Sequence, residues 1–243
     1  MQANPSSNIA REPLLDPAEG PTQAVAPPPS RRVVDAPTRM FHWLFALSFV
    51  SAYLTGDAEA WRALHVVLGY TMAGLLGFRV VYGLVGPRHA RLSLLWGRLR
   101  GMPAWLVALR QGRAASAGHW RQAPVLAMAL VVAALLAMVV PLVLSGYGTH
   151  NDWGDVLGGD WIEEVHEFFG DALLFLVLAH LLLIGLLSLA RRRNQALPML
   201  TGRVEGKGPD LVRKDRRWLA TLLLLAVLSY GAWEWIGSAG GLL

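Results

Sequence analysis

From about residue 38 onward the chain alternates long apolar stretches with short polar connections, and the stretches reach the length at which a helix crosses a bilayer. Five spans are predicted, at about 38–55, 61–85, 123–146, 161–190 and 218–235. The second is interrupted by Arg79, and the fourth stops at Arg191-Arg192-Arg193. The connections sort by charge. Arg31, Arg32 and Arg39 precede the first span or stand at its start, a group from Arg88 to Arg121 lies between the second and third, and residues 191–217 form a basic stretch between the fourth and fifth. The segments 56–60 and 147–160 contain no Lys or Arg, and Arg62 stands at the start of the second span. The positive-inside rule therefore puts the N-terminus in the cytoplasm and the C-terminus outside. Between spans two and three, Trp96, Leu99, Trp105, Leu106 and Leu109 alternate with arginines over 95–113, which predicts a helix lying on the cytoplasmic surface. Residues 1–32 are rich in Pro, Ala, Ser and Gln and lack an apolar run, the pattern of a disordered tail and not of a signal peptide. The chain thus divides into a tail at 1–32, a membrane domain at 33–203, and a basic linker with the fifth span at 204–243. The fold class is all-α and integral to the membrane: a four-helix bundle with a fifth C-terminal span.

Composition narrows the chemistry. Charged residues make up 16% of the chain, against about a quarter in a soluble domain. The net charge of +5 does not point to nucleic acid, because the basic residues lie between spans and not on one globular face. There are no cysteines. That excludes disulfides, thiolate-held iron–sulfur clusters, thiol catalysis and covalent haem attachment through C-x-x-C-H.

Four histidines fall inside spans: His42, His65, His166 and His180. An ionisable ring at bilayer depth marks a functional site by default, since lipid offers its nitrogens no partner. His166 and His180 are fourteen residues apart, about 40° short of four helical turns, so both project from one face roughly 21 Å apart along the axis. The alternating directions of the spans match His42 to the depth of His180, at the inner side, and His65 to that of His166, at the outer side. Two bis-histidine sites stacked across a membrane are what two non-covalent b-type haems need: one axial nitrogen on each face of a flat ring. Gly69 and Gly170 each come four residues after a histidine, and Gly56 lies at the outer depth, so each can let a bulky ring approach its helix. Arg79, at the inner depth, and Arg39, one turn before His42, are positioned to pair with haem propionates; Arg79 can equally snorkel to the surface. His89, His119 and His150 fall in connections and read as surface residues.

The string Val34-Asp35-Ala36-Pro37-Thr38-Arg39-Met40-Phe41-His42-Trp43 resembles the start of the first span in bacterial di-haem cytochromes b, a family that includes the b-type cytochrome subunit of nickel–iron hydrogenases. Leu64-His65, Gly69-Tyr70, Phe78-Arg79 and the run from Gly83 to Arg91 are similar to that family's second span and the loop after it. Val165-His166-Glu167, His180 and Thr201-Gly202-Arg203 resemble its fourth span and the tail beyond that span. The likeness covers about 33–203; the fifth span and the proline-rich N-terminus depart from it. It implies His42, His65, His166 and His180 as axial ligands. It also implies exchange of electrons between membrane quinone and a periplasmic redox protein, either a c-type cytochrome or a hydrogenase-like subunit. A different class stays open: a stand-alone membrane oxidoreductase acting on a small molecule such as superoxide at the outer haem. A zinc protease is unsupported, because His166-Glu167-Phe168-Phe169-Gly170 has glycine where H-E-x-x-H needs its second histidine.

Overall fold

The structure, a computed structural model, describes residues 29–112, 117–159 and 161–240. Most of the predicted tail, Arg113, Asp160 and the side chain of His119 lie outside the described residues. In chain order the elements are β1 (Ser30–Arg32), α1 (Ala36–Thr55), α2 (Arg62–Val85), α3 (Leu92–Arg100), α4 (Met102–Arg110), α5 (Ala117–His150), α6 (Trp153–Leu157), α7 (Trp161–Arg191), α8 (Leu197–Thr201), β2 (Arg203–Glu205) and α9 (Arg217–Gly240). Short 3-10 turns at Glu59–Trp61 and Arg88–Ala90 flank α2.

The long helices alternate in direction. One end of the bundle collects the arginine-rich connections and is called here the basic end; the other carries exposed Asp57, Glu59, Asp152, Asp155, Glu163 and Glu164 and is called the acidic end. α1 packs along α2, α2 along α5 and α5 along α7, while α9 lies outside the bundle against α1 and α2. α7 packs much less closely along α1 or α2 than along α5. At mid-height Phe49, Met72, Val139, Leu142 and Leu173 form a buried apolar layer drawn from all four bundle helices.

Four helical segments are long and apolar enough to cross a membrane: Glu59–Val85, Trp120–His150, Trp161–Arg191 and Arg217–Gly237. The sequence predicts five. α1 is not among the four, and the physical reason is its first two turns, where Pro37, Arg39 and His42 dilute the apolar run. Its outward residues Leu47, Val50 and Leu54 are nevertheless exposed, like Val85, Phe175 and Leu189 on the neighbouring spans. An exterior of this kind is stable in hydrocarbon and not in water. Exposed tryptophans ring both ends, Trp43, Trp96, Trp120 and Trp218 at one and Trp61, Trp153, Trp161 and Trp233 at the other, as interfacial anchors do. The chain is a multi-pass membrane protein.

Two local departures have clear causes. The single surface helix predicted over 95–113 is two helices, α3 and α4, broken at Gly101. Gly101 caps the first, and Pro103 in the first turn of the second has no N–H and would clash with the preceding turn of an unbroken helix. The second departure is an antiparallel ribbon in which Ser30–Arg32 pairs with Arg203–Glu205. It takes in residues that the sequence assigns to the tail. Asp210 accepts a bond from the Arg32 N–H at 2.6 Å, and Asp215 accepts one from the Ala36 N–H at 3.0 Å. Gly202 explains the tightness of this clasp. Its φ of +78° is left-handed, its carbonyl accepts the Val33 N–H at 2.8 Å, and a Cβ there would stand 2.7 Å from the Val34 carbonyl oxygen. The stretch before α9 is therefore fastened to the start of α1.

Candidate functional site

Two of the four intramembrane histidines meet ring to ring, and the other two lie within electrostatic reach of each other. His65 of α2 faces His166 of α7 at the acidic end, with ring centroids 5.9 Å apart and planes at 83°. His42 of α1 lies within electrostatic reach of His180, two-thirds of the way along α7. The apolar layer at mid-height separates the pairs. All four rings are part-buried. Among the described residues no third His, Asp or Glu joins either pair as a bare metal ion would need.

The acidic-end pair is oriented by backbone carbonyls. The Nδ1 of His65 stands 2.9 Å from the Ala52 carbonyl oxygen, and the Nδ1 of His166 stands 3.0 Å from that of Leu142. The carbonyl can only accept, so each Nδ1 carries the proton and each Nε2 keeps its lone pair. That is the arrangement by which a protein fixes a ligating imidazole. Both accepting carbonyls sit inside helices, where the side chain four residues on covers the carbonyl. In both helices that residue is glycine: Gly56 comes four after Ala52, and Gly146 four after Leu142. A Cβ on Gly56 would lie 3.7 Å from the His65 Cε1, an ordinary contact, whereas one on Gly146 would lie 2.7 Å from the His166 Cε1, which no real pair of atoms tolerates. Ser145, whose hydroxyl donates to the Pro141 carbonyl at 2.7 Å, stands 3.4 Å from the same Nδ1 of His166. Gly69 and Gly170 line the cavity of about 110 Å³ beside this pair, together with Tyr70 and His150. A Cβ on Gly69 would meet nothing within 4 Å, and one on Gly170 only a Leu142 methyl at 4.0 Å. These two glycines thus keep space open beside the rings, and protein packing alone does not require them.

The basic-end pair is different. The Nδ1 atoms of His42 and His180 are buried without any hydrogen-bond partner. A buried polar atom left so costs about 1–3 kcal/mol and calls for an explanation. Of the two arginines singled out from the sequence, Arg39 donates to the Leu200 carbonyl at 3.1 Å and lies 3.7 Å from Asp215, but its Nε is buried and unpartnered. Arg79 donates to the Ala90 carbonyl at 3.0 Å and is not extended to the surface.

A family model described as prokaryotic cytochrome b561 matches residues 33–202. The chain belongs to the prokaryotic cytochrome b561 family. No curated protein and no solved structure matches it. As a cytochrome b561 it binds b-type haem and works in transmembrane electron transfer. The residues present fit such a ring: paired imidazoles with free lone pairs, glycines opening a cavity at one pair, and orphaned buried nitrogens at the other. In this cytochrome the match stops before β2 and α9, which are additions to the matched region.

One cluster has no counterpart in the sequence reading. Asp35 is fully buried at the N-terminus of α1. Its carboxylate takes the Thr38 N–H at 3.3 Å, the Tyr82 hydroxyl through a short bond, and His89 Nε2 at 3.0 Å. His89, read from the sequence as a surface residue, is instead part-buried, because the 3-10 turn at Arg88–Ala90 folds it back onto α1. Burial by itself raises the Asp35 pKa, but the bonds from Thr38, Tyr82 and His89 and the charge of His89 outweigh it and hold the carboxyl below its ordinary value. A depressed folded pKa contributes stability that is present above the unfolded value of about 3.9 and is lost as pH falls through the folded one. Asp35→Ala removes a helix cap worth about 1 kcal/mol and leaves Tyr82 and His89 without their acceptor, at about 1–3 kcal/mol. Thermal unfolding in detergent at neutral pH is expected to show a loss of about 2–4 kcal/mol. The mutant and native chains should converge as the pH falls below 4, roughly the unfolded value.

Proposed function

We propose that this cytochrome passes electrons between the membrane quinone pool and a periplasmic redox protein through two bis-histidine b-type haems, one held by His65 and His166 and the other by His42 and His180. The observation that carries this reading is the occurrence of two histidine pairs, both using α7, on either side of the buried layer of Phe49, Met72, Val139, Leu142 and Leu173. Each haem supplies a one-electron carrier when bound. The chain's own residues do the rest. Ala52 and Leu142 carbonyls fix the tautomers of His65 and His166, the apolar layer keeps water from between the pairs, and Arg39 and Arg79 offer guanidinium donors to propionates at the basic end. Positive-inside sorting supports a cytoplasmic basic end and a periplasmic acidic end, with the N-terminus inside and the C-terminus outside. On this reading the domains are a tail at 1–32, a di-haem domain at 33–203 and a linker with the fifth helix at 204–243. The test is stopped-flow reduction of the purified protein by duroquinol, followed by mixing with a c-type cytochrome. Reduction of the protein and then of the c-type cytochrome is expected. Direct turnover of superoxide without any protein acceptor would favour the stand-alone oxidoreductase instead.

The partner is expected to dock on the acidic end. Exposed Asp57, Glu59, Asp152, Asp155, Glu163 and Glu164 outnumber Arg62 and give that face a net negative charge beside the His65–His166 pair. A predominantly negative patch steers a basic partner and loses its grip as salt screens it. Electron transfer to a basic c-type cytochrome should therefore slow as ionic strength rises. Changing Asp152, Asp155 and Asp160 together to Asn should flatten that dependence while leaving the haem spectra unchanged. Rates indifferent to both salt and the triple change would mean that the acids only reflect sorting of charge across the membrane.

A further inference from the structure

Outside the histidine sites, a groove of about 510 Å³ lies between α2 and α9. Its walls are mostly carbon, from Leu75 on α2 and Leu223 and Val227 on α9. Gly74 forms part of its floor, and a Cβ there would meet nothing within 4 Å. Two phenol rings, Tyr70 and Tyr230, also line it. Tyr70 has no hydrogen-bond partner for its hydroxyl among the described residues. Tyr230 lies within electrostatic reach of Tyr70 and of the Glu234 carboxylate, one turn further along α9 toward the acidic end. Tyr70 belongs to two spaces at once: it lines this groove and also the cavity beside His65 and His166.

We propose that the groove between α2 and α9 binds a lipid-soluble quinone, with its ring between Tyr70 and Tyr230. This deepens the proposed function and rests on its quinone exchange. The occupant is argued from the lining. A saturated acyl chain would have no use for two phenols in an otherwise apolar membrane groove, where polar groups are costly unless they meet a partner. A quinone has a flat ring with two acceptor oxygens and an apolar tail, and it matches the hydroxyls at one part of the groove and the hydrocarbon walls at the rest. Continuity through Tyr70 puts such a ring one side chain from the acidic-end histidine pair. Glu234 gives Tyr230 a polar neighbour on the way to the acidic surface. Half of the groove comes from α9, which lies beyond the region matched to the cytochrome b561 family, so the site belongs to this chain's added helix.

The test is binding of decylubiquinone to the purified haem-loaded protein in detergent, read by quenching of intrinsic fluorescence and by co-retention in ultrafiltration. Tyr230→Phe, which lies outside the histidine cavity, removes one hydroxyl with little change of shape and should weaken binding up to about tenfold. Gly74→Leu fills the groove and should abolish binding. In both variants the haem absorption spectrum should stay that of the unmodified protein, which distinguishes loss of the site from loss of the fold. Unchanged decylubiquinone affinity in both variants would overturn the groove while leaving quinone exchange elsewhere on the chain intact. A native protein that binds no decylubiquinone and retains only phospholipid in the groove, by native mass spectrometry, would overturn the site and count against quinone exchange as well.

Discussion

Replacing His166 with alanine is expected to remove one haem and leave one, and replacing His65 is expected to remove the same one. The two rings stand 5.9 Å apart across the acidic-end cavity. Imidazole nitrogens bind metals at about 2 Å, so two rings on opposite faces of one iron have centroids roughly 6 Å apart. Loss of either ligand therefore empties the same site. His42→Ala and His180→Ala should each remove the other haem. The stoichiometry in all four variants should fall from two to one, with two distinct residual spectra shared within pairs and not between them. Each histidine pair also stands between α7 and a helix, α1 or α2, that does not pack closely along it. Lower yield of folded protein is expected as well. Absorption and EPR spectra of the four variants check this. If His42→Ala and His65→Ala give one and the same residual spectrum, the pairing across α7 is wrong.

Gly146→Ala is expected to damage the acidic-end site although Gly146 has no functional group. Its added methyl would fall 2.7 Å from the His166 Cε1. The ring can retreat only into the cavity, away from α5, whose Leu142 carbonyl and Ser145 hydroxyl hold its Nδ1. It must leave the Leu142 carbonyl, and loss of such an orienting bond typically weakens metal binding 10–100-fold. Gly56→Ala is the built-in control. It stands in the same relation to His65, but the added carbon would lie at an ordinary 3.7 Å, so little change is expected. Retention of haem during dilution or competition with apomyoglobin measures both. Equal retention in both variants would show that the Leu142 carbonyl does not position His166.

Much of this arrangement is legible in the sequence because membrane helices leave few ways to read an ionisable residue. Four histidines with fixed spacing on helices of known direction fix depth, and the structure brings together the same pairs that depth predicts. The acidic and basic ends are equally plain, since charge sorts between connections. Partners with no chemical signature of their own escape such a reading. The carbonyls of Ala52 and Leu142 are invisible in a sequence, and the third span carries no histidine to draw attention to Gly146. The spacing from accepting carbonyl to glycine, four residues in both helices, is the signal that could have found it. His89 reads as surface because a residue after a span looks like loop, whereas a 3-10 turn returns it to Asp35. The clasp of 30–32 to 203–205 joins segments more than 170 residues apart, a pairing that no local pattern announces.

That one chain holds two haems without covalent bonds is tested most directly by acid–acetone extraction of the purified protein, with the haem released quantified against protein by amino-acid analysis. Complete release and a ratio of two are expected. A ratio of one, or a folded protein free of haem, would contradict the two-haem reading.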